Sequence, residues 1–211
     1  GEVFSITESD VEVAITNPRA LDLFVGLLRW NRLIRKVDLS AVLVENAKAI
    51  EFALNTNQVL EELDISRNSL HAEREANAII SGVSSSTSLK LIALDGKPLP
   101  INQLRGENAQ QQVDFSEYSL DILSARVVAS LLGSNTSLVQ LFMQSNHLCA
   151  VGVEALASSL AHSPARDTLK VLDLSRNSIG STEEAALKEG KDSKEAKEKQ
   201  AQGGEVEEGF N

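Results

Sequence analysis

The stretch Leu60–Leu70 reads LEELDISRNSL, and it decides the fold because near-copies of it return further along the chain. The two clearest copies are Leu138–Leu148 (LVQLFMQSNHL) and Leu169–Ile179 (LKVLDLSRNSI). In each copy two apolar residues stand two positions apart, and a third follows five positions after the second. Alternation with a period of two predicts a half-buried strand.

The same strand pattern occurs six times in all. The segments begin at Val37, Leu63, Ile92, Val113, Leu141 and Leu172. Successive segments are 26–31 residues apart except for one step of 21, where we expect most of a helix to be missing. A recurrence of this length is the signature of a repeat protein.

Between the strand segments, apolar residues recur three or four positions apart, which is typical of one face of an amphipathic helix. The three clearest sets are Ala47, Ile50, Ala53 and Leu54; Val127, Val128, Leu131 and Leu132; and Val153, Leu156, Ala157 and Leu160. Asparagines stand near the helix ends, at Asn31, Asn55, Asn57 and Asn135. Because asparagine tolerates the left-handed conformation, we expect it to end helices in that way.

The segments resemble leucine-rich repeats, and the helical spacers AKAIEFALNTN and VEALASSLAHS are similar to the ribonuclease-inhibitor-like class. The resemblance covers about residues 33–180. It implies an α/β leucine-rich-repeat solenoid of about six repeats, with a curved parallel sheet inside and helices outside. It also implies inward-turned side chains that satisfy buried backbone groups at three strand exits, those of Asn68, Asn146 and Asn177. Val42, Lys97 and Tyr118 stand at the equivalent places, so those turns are expected to be hydrated or reshaped.

We predict an N-terminal cap or degenerate repeat over residues 1–32, with Trp30 and Phe24 closing the apolar end of the repeats at 33–180. Residues 181–211 form a charged C-terminal helix or tail, because their composition buries too little apolar surface to offset ordering entropy. A solvated tail and a helix that docks on a partner both stay open.

Residues 95–112 interrupt the pattern of strands and helices. They contain Pro98 and Pro100, which exclude a regular helix there. We therefore predict a loop that replaces a helix on the convex side.

Composition limits the function further. The 211 residues carry a net charge of −10, which disfavours nucleic acid and anionic membranes and permits a protein partner with a basic surface. No apolar run approaches a membrane span, and the first ten residues lack the order of a signal peptide. The chain begins with Gly rather than Met, so a targeting signal can precede it. One cysteine and no disulfide suggest a cytoplasmic protein, which we expect to be monomeric outside a complex.

We find no catalytic constellation, metal site or cofactor motif in the sequence. His71, His147 and His162 lack ligand spacing. Cys149 is expected to be a buried structural thiol, since a nucleophile needs an oriented base.

A candidate binding surface follows from the strand positions that alternate with buried ones and face outward along the concave side. Stacked in register, these positions predict an acidic floor with an apolar spot. The candidate residues are Phe142, Asp38, Glu62, Asp64, Asp114 and Asp173.

These features predict a protein-interaction module and not an enzyme: an adaptor or assembly subunit that binds through the concave face or the C-terminal tail. The alternative is a trans-acting regulator of a GTPase, since the Ran GTPase activators are similar in joining such repeats to an acidic tail. Inhibition of a secreted-type enzyme, as by ribonuclease inhibitor, is a third reading, although the cysteine-rich composition of that protein is missing here.

Overall fold

The structure is a computed structural model that describes residues 23, 25–41, 46–70, 72–94 and 97–180. The chain divides into two compact units, residues 1–102 and residues 103–211. Most of the predicted cap and all of the region after residue 180 lie outside the described residues.

Unit 1 alternates strands and helices. Its elements are β1 (Lys36–Asp38), α1 (Ala47–Thr56), β2 (Glu62–Asp64), α2 (Glu73–Ser85), β3 (Leu91–Ala93), β4 (Pro98–Pro100) and the start of α3 (Ile101–Arg105). The strands form one sheet in the order β1-β2-β3-β4. Strands β1, β2 and β3 are parallel, and β4 pairs antiparallel to β3.

Unit 2 repeats the alternation. Its elements are the end of α3, then β5 (Gln112–Asp114), α4 (Ile122–Leu132), β6 (Gln140–Phe142), α5 (Cys149–His162), α6 (Ala165–Thr168) and β7 (Val171–Asp173). Strands β5, β6 and β7 form a second, wholly parallel sheet. All six predicted strand segments and the three predicted helices are therefore confirmed, and the short 21-residue step holds only the five-residue α3.

The prediction of a loop over residues 95–112 was wrong, and the parallel sheet that the resemblance implied is found as two sheets, one in each unit. Pro98 and Pro100 lie in β4 and alternate with Leu99, which is buried opposite Ile92. A strand at a sheet edge tolerates proline because one of its sides has no ladder hydrogen bonds to make. The partner of β3 is therefore β4 and not the next repeat strand, and the turn at Lys97 is reshaped in this way.

The core of each unit lies between the sheet and the helices. The middle residues of the first five repeat strands are buried: Val37, Leu63, Ile92, Val113 and Leu141. The same position in β7 is Leu172, which is 39% exposed. Helix α4 is the most deeply packed, with nine of its eleven residues buried, and Asp121 caps it by accepting a hydrogen bond from the Ser124 N–H at 3.1 Å.

Glycines set the helix spacing in both units. A Cβ placed on Gly82 of α2 would lie 2.9 Å from the Cα of Glu51 in α1. A Cβ placed on Gly152 of α5 would lie 2.9 Å from the Cβ of Ala125 in α4. Real Cβ atoms do not approach so closely, so each pair of helices packs at a distance that only glycine permits.

Buried asparagines form hydrogen bonds at the strand exits. The Asn146 amide donates to the carbonyls of Phe115 and Met143, both at 2.9 Å, and its Oδ1 accepts from the Leu120 N–H at 2.9 Å. Asn68 and Asn177 are buried in the same way, and each donates to a carbonyl of the preceding repeat at 2.8 Å. These side chains satisfy backbone groups that the turn removes from water.

The residue before each of these turn positions adopts a left-handed conformation. At the five strand exits where the structure describes this residue, it is Ala41, Arg67, Glu117, Ser145 or Arg176, with φ between 55° and 60°. None is glycine, so each turn carries a conformational cost of roughly 1–2 kcal/mol. The hydrogen bonds around the turn must offset that cost.

The helix-end asparagines act differently from the prediction. Asn57 has an extended backbone, and none of the four asparagines named for this role has positive φ. Instead, the Asn57 Oδ1 accepts from the N–H groups of Val59 and Leu60 at 2.8 and 2.7 Å. Asn135 accepts in the same way from Ser137 and Leu138, both at 2.9 Å. The side chain, not the left-handed backbone, turns the chain from helix towards strand.

Trp30 does not close an apolar end as predicted, because it is 67% exposed. The described part of the predicted cap is a helical turn at residues 25–28, in which Val25 and Leu28 are buried. Phe24 lies outside the described residues.

Replacing Asn146 by alanine is expected to lower the free energy of unfolding by about 2–4 kcal/mol, because carbonyls and an N–H group would be left buried without partners. Urea unfolding followed by circular dichroism measures the change. The matched control is Asn108→Ala at an exposed position, which is expected to shift the unfolding free energy by less than about 0.5 kcal/mol. Equal losses in the two variants would contradict a structural role for Asn146.

Gly82→Ala is expected to destabilise the protein by about 1–2 kcal/mol, since the added methyl group meets backbone in α1 and outweighs the gain in helix propensity. Gly26→Ala is the control, because a Cβ placed on Gly26 would have open space around it. That variant is expected to be neutral or slightly stabilising. A melting temperature for Gly82→Ala at or above that of the unmodified protein would refute close packing at this contact.

Candidate functional site

Three of the predicted site residues lie in one row across the sheet of unit 2. Asp114 of β5, Phe142 of β6 and Asp173 of β7 are register partners, and we call them the Phe142 row. Neighbouring strands are about 4.8 Å apart, so the three side chains occupy a strip about 10 Å long. Asp114 is exposed, while Phe142 and Asp173 are half-buried. The strand neighbours Val113 and Leu141 point to the opposite face and are buried.

The two aspartates of the Phe142 row have a structural task. Oδ1 of Asp114 accepts a hydrogen bond from the Ser116 N–H at 2.8 Å, and Oδ1 of Asp173 accepts from the Ser175 N–H at 2.9 Å. Hydrogen bonding from Ser116 holds the pKa of Asp114 below its usual value. Ser175 lowers the pKa of Asp173 in the same way. Both carboxylates are therefore charged at neutral pH.

Phe142 occupies the position of an aspartate without being able to do an aspartate's work. It has no side-chain oxygen to receive the N–H two residues ahead, and its ring lies half-exposed between two carboxylates. The local fold gives no reason for an aromatic ring at this place. Val171 on the neighbouring strand is also exposed and adds apolar surface beside the row.

The other three predicted site residues lie in unit 1. Asp38 and Asp64 are register partners, and the third member of their row, Ala93, is buried. Each aspartate accepts a hydrogen bond at 2.8 Å from the N–H two residues ahead. Glu62 forms an ion pair with Lys36 at 2.9 Å. The structure thus brings the predicted residues together as two separate groups, one in each unit.

Ion pairs reduce the acidic character of the predicted floor in unit 1. Glu61 lies beside both Lys90, at 2.8 Å, and Arg35, which donates to its other oxygen. The hydrogen bond from Lys90 is the main cause of the lowered pKa of Glu61, and Arg35 adds to it. Lys36 forms a further ion pair with Glu62. Of the predicted acidic residues in unit 1, Asp38 and Asp64 are the two that take part in none of these ion pairs.

The structure offers few groups for chemistry. Cys149 is fully buried as the first residue of α5. His162 contacts the Ser158 carbonyl of its own helix at 2.8 Å, and His71 lies outside the described residues. Within residues 23–180 as described, no three His, Cys, Asp or Glu side chains are grouped so as to hold a metal ion. In the same part of the chain, no helix is long and apolar enough to cross a membrane.

Asn135 begins a glycosylation-type triplet with Thr136 and Ser137, but its side chain is buried. Its amide donates to the carbonyls of Gln103 and Leu104 at 3.1 and 2.9 Å. In the folded protein this nitrogen is therefore shielded from modification.

Comparison with known proteins finds one of the repeats. A family model described as "Leucine Rich repeat" matches residues 168–182, which include β7 and the strand exit at Asn177. No curated protein matches the sequence.

Two solved structures align with most of the chain at low sequence identity. One is described as leiomodin-1 actin-binding site 2, with 13% identity, a TM-score of 0.44, and coverage of 88% of this chain and 95% of that one. The other is a tropomodulin C-terminal domain from Caenorhabditis elegans, with 14% identity, a TM-score of 0.40, and coverage of 88% and 99%.

The lowered pKa of Asp114 predicts a pH dependence of stability. Since the folded pKa lies below the unfolded one, the contribution is complete above about pH 4 and is lost as the pH falls through the folded pKa. Ser116→Ala removes the hydroxyl and leaves the backbone hydrogen bond to Asp114, so the Asp114 pKa is expected to rise part of the way. An NMR titration of the carboxyl carbon measures both values, and identical midpoints in the two proteins would contradict this assignment.

Proposed function

We propose that the chain is a leucine-rich-repeat protein-interaction module that serves as an adaptor or an assembly subunit, and the match of a leucine-rich-repeat model to residues 168–182 supports this. One observation carries the proposal: Phe142 lies half-exposed between Asp114 and Asp173 at a position where the local fold has no use for an aromatic ring. Half-exposed aromatic residues in the centre of a surface often supply most of the energy of a protein contact.

The Phe142 row defines the chemistry of the partner. An apolar side chain of the partner covers the Phe142 ring, and basic side chains on either side of it meet Asp114 and Asp173. The aromatic contact supplies affinity, while the carboxylates steer the approach and fix the register. Their lowered pKa values keep them charged at neutral pH, which supports this division of work.

Three finer points belong to the same proposal. The repeats are of the ribonuclease-inhibitor-like class, which the 10–14-residue helices α1, α2, α4 and α5 support. The protein works in the cytoplasm, since its one cysteine is a buried free thiol. It is a monomer outside its complex. The charged region at 181–211, outside the described residues, is the alternative recognition element.

Regulation of a GTPase in trans is the alternative function. None of the described residues carries a feature that favours it. A GTP hydrolysis assay with the candidate GTPase and the intact chain tests it directly, and we expect no stimulation.

Affinity capture from an extract of the source cells distinguishes the Phe142 row from the charged tail. Three baits are compared: the intact chain, a version ending at residue 181, and the double variant Phe142→Ala with Asp114→Ala. Partners that the truncated version keeps and the double variant loses would support the Phe142 row. Partners that only the truncated version loses would show that the tail recognises them, and the proposal for this row would fail.

For a captured partner, Phe142→Ala is expected to weaken binding about 10–30-fold, which corresponds to about 1.4–2 kcal/mol of contact energy. The melting temperature is expected to stay nearly unchanged because the ring is already half-exposed. Leu141→Ala is the matched control on the opposite face of β6, and it is expected to cost about 2–5 kcal/mol of stability. If Phe142→Ala destabilises the protein as much as Leu141→Ala does, Phe142 is a core residue.

A further inference from the structure

A second exposed surface in unit 1 contains aromatic and basic side chains together. The guanidinium carbon of Arg29 lies 4.3 Å from the ring centre of Trp30 and 5.1 Å from that of Phe52 in α1. Both rings are nevertheless exposed, Trp30 by 67% and Phe52 by 47%. We call this surface, with its flanking side chains, the Trp30 patch: Leu27, Arg29, Trp30, Arg32, Leu33 and Phe52.

Large apolar groups are concentrated there beyond what a surface needs. Leu27 is 58% exposed and Leu33 is 83% exposed, and they stand three residues before and three residues after Trp30 in the chain. Single exposed apolar residues are ordinary on a protein surface. Here three of the four are close in sequence, and the Arg29 guanidinium joins the fourth, Phe52, to Trp30. Such a group marks an interaction site. Trp and Arg are also the residue types most enriched in the energetic centres of protein interfaces.

The charge of the patch is opposite to that of the whole chain. Residues 25–36 carry four cations and no acid, whereas the protein has a net charge of −10. Arg35 and Lys36 are already paired with Glu61 and Glu62. Arg29 lies on the rings, and Arg32 is exposed with no ion-pair partner in the described residues. A partner that covers this surface must therefore bring carboxylates to the edge of an apolar contact.

The backbone beneath the patch is fixed before any partner arrives. The buried Asn57 amide donates to the Leu28 carbonyl at 2.5 Å and to the Asn31 carbonyl at 3.2 Å. The Asn31 Oδ1 accepts from the N–H groups of Leu33 and Ile34 at 2.8 and 2.7 Å. Trp30 thus lies in a turn that is held on both sides, and binding there needs little further ordering of the chain.

We propose that the Trp30 patch binds an acidic, amphipathic segment of a partner protein, whose apolar side chains cover Trp30 and Phe52 while its carboxylates pair with Arg29 and Arg32. The patch is distinct from the Phe142 row, and the two take partners of opposite charge. The inference therefore stands whether or not the proposed function of the Phe142 row holds.

Two other occupants are less suited to the patch. An anionic membrane is bound by clusters of four to eight unpaired cations, whereas two of the four cations here are already engaged by Glu61 and Glu62. A second copy bound symmetrically would bring the same basic patch against itself, because a two-fold interface places identical surfaces together.

Trp30 is the one tryptophan of the chain, so its fluorescence reports on the patch directly. The probe is a synthetic 14-residue helical peptide with two leucines and a phenylalanine on one face and glutamates on the other. Its control carries lysines in place of the glutamates. We expect the acidic peptide to shift Trp30 emission to shorter wavelength in a saturable, salt-sensitive way, and the basic peptide to leave it unchanged.

Variants locate the binding. Arg32→Glu and Phe52→Ala are each expected to weaken the acidic peptide about tenfold. Arg74→Glu, an exposed charge reversal in α2, is the matched control for the first, and Phe142→Ala tests independence from the other row. Both controls are expected to bind like the unmodified protein, and circular dichroism melting confirms that every variant is folded.

Four results would overturn the inference. The first is Trp30 emission at the wavelength of a buried indole before any addition, because the patch would then be covered. The second is equal binding of the two peptides, or none. The third is a shift produced only by vesicles of phosphatidylserine and phosphatidylcholine. The fourth is concentration-dependent dimerisation, measured by sedimentation, that Leu33→Glu abolishes and the acidic peptide does not.

Discussion

The amide side chains of a few buried asparagines hold this architecture together. Each repeat leaves its strand through a turn that is closed off from water, and the carbonyls released there need donors. Asn146 supplies them within its own turn and to the preceding repeat in the same step. One side chain thus fixes both the local turn and the stacking of neighbouring repeats. Asn57 and Asn135 make similar hydrogen bonds at the other end of the repeat, where a helix is followed by a strand.

Aspartate and phenylalanine occupy equivalent strand positions in different repeats, and the aspartates have a structural role there that phenylalanine cannot have. Asp38, Asp64, Asp114 and Asp173 each accept a hydrogen bond from the N–H two residues ahead and so stabilise a turn that contains a left-handed residue. Their charge is available to a partner, but their presence is explained without one. Phe142 has no such explanation, and for this reason it carries the functional argument. A repeat protein makes this distinction possible because equivalent positions can be compared within one chain.

The two units present surfaces of opposite character. In unit 2 an aromatic ring lies between carboxylates, and in unit 1 two rings lie against a guanidinium. Two such surfaces would let the proposed interaction module hold two partners of different charge, as an adaptor does. The stiffness of both places comes from backbone hydrogen bonding beneath them, in the β5-β6-β7 ladder and in the Asn57 contacts.

The sequence by itself determined the period, the six repeat strands and three of the four longer helices, because alternation and helical spacing depend on neighbours only a few positions away. The inward asparagines followed from the resemblance to leucine-rich repeats. It also singled out Phe142. Only the tertiary structure decided that Pro98–Pro100 pairs with β3 and divides the strands into two sheets, since a strand's partner depends on contacts that no local pattern specifies. The position of Trp30 was also decided by the tertiary structure. A tryptophan followed by basic residues is compatible with a cap and with an exposed surface alike. Its position depends on the packing of Arg29 against both the Trp30 ring and the Phe52 ring, a contact that is distant in sequence.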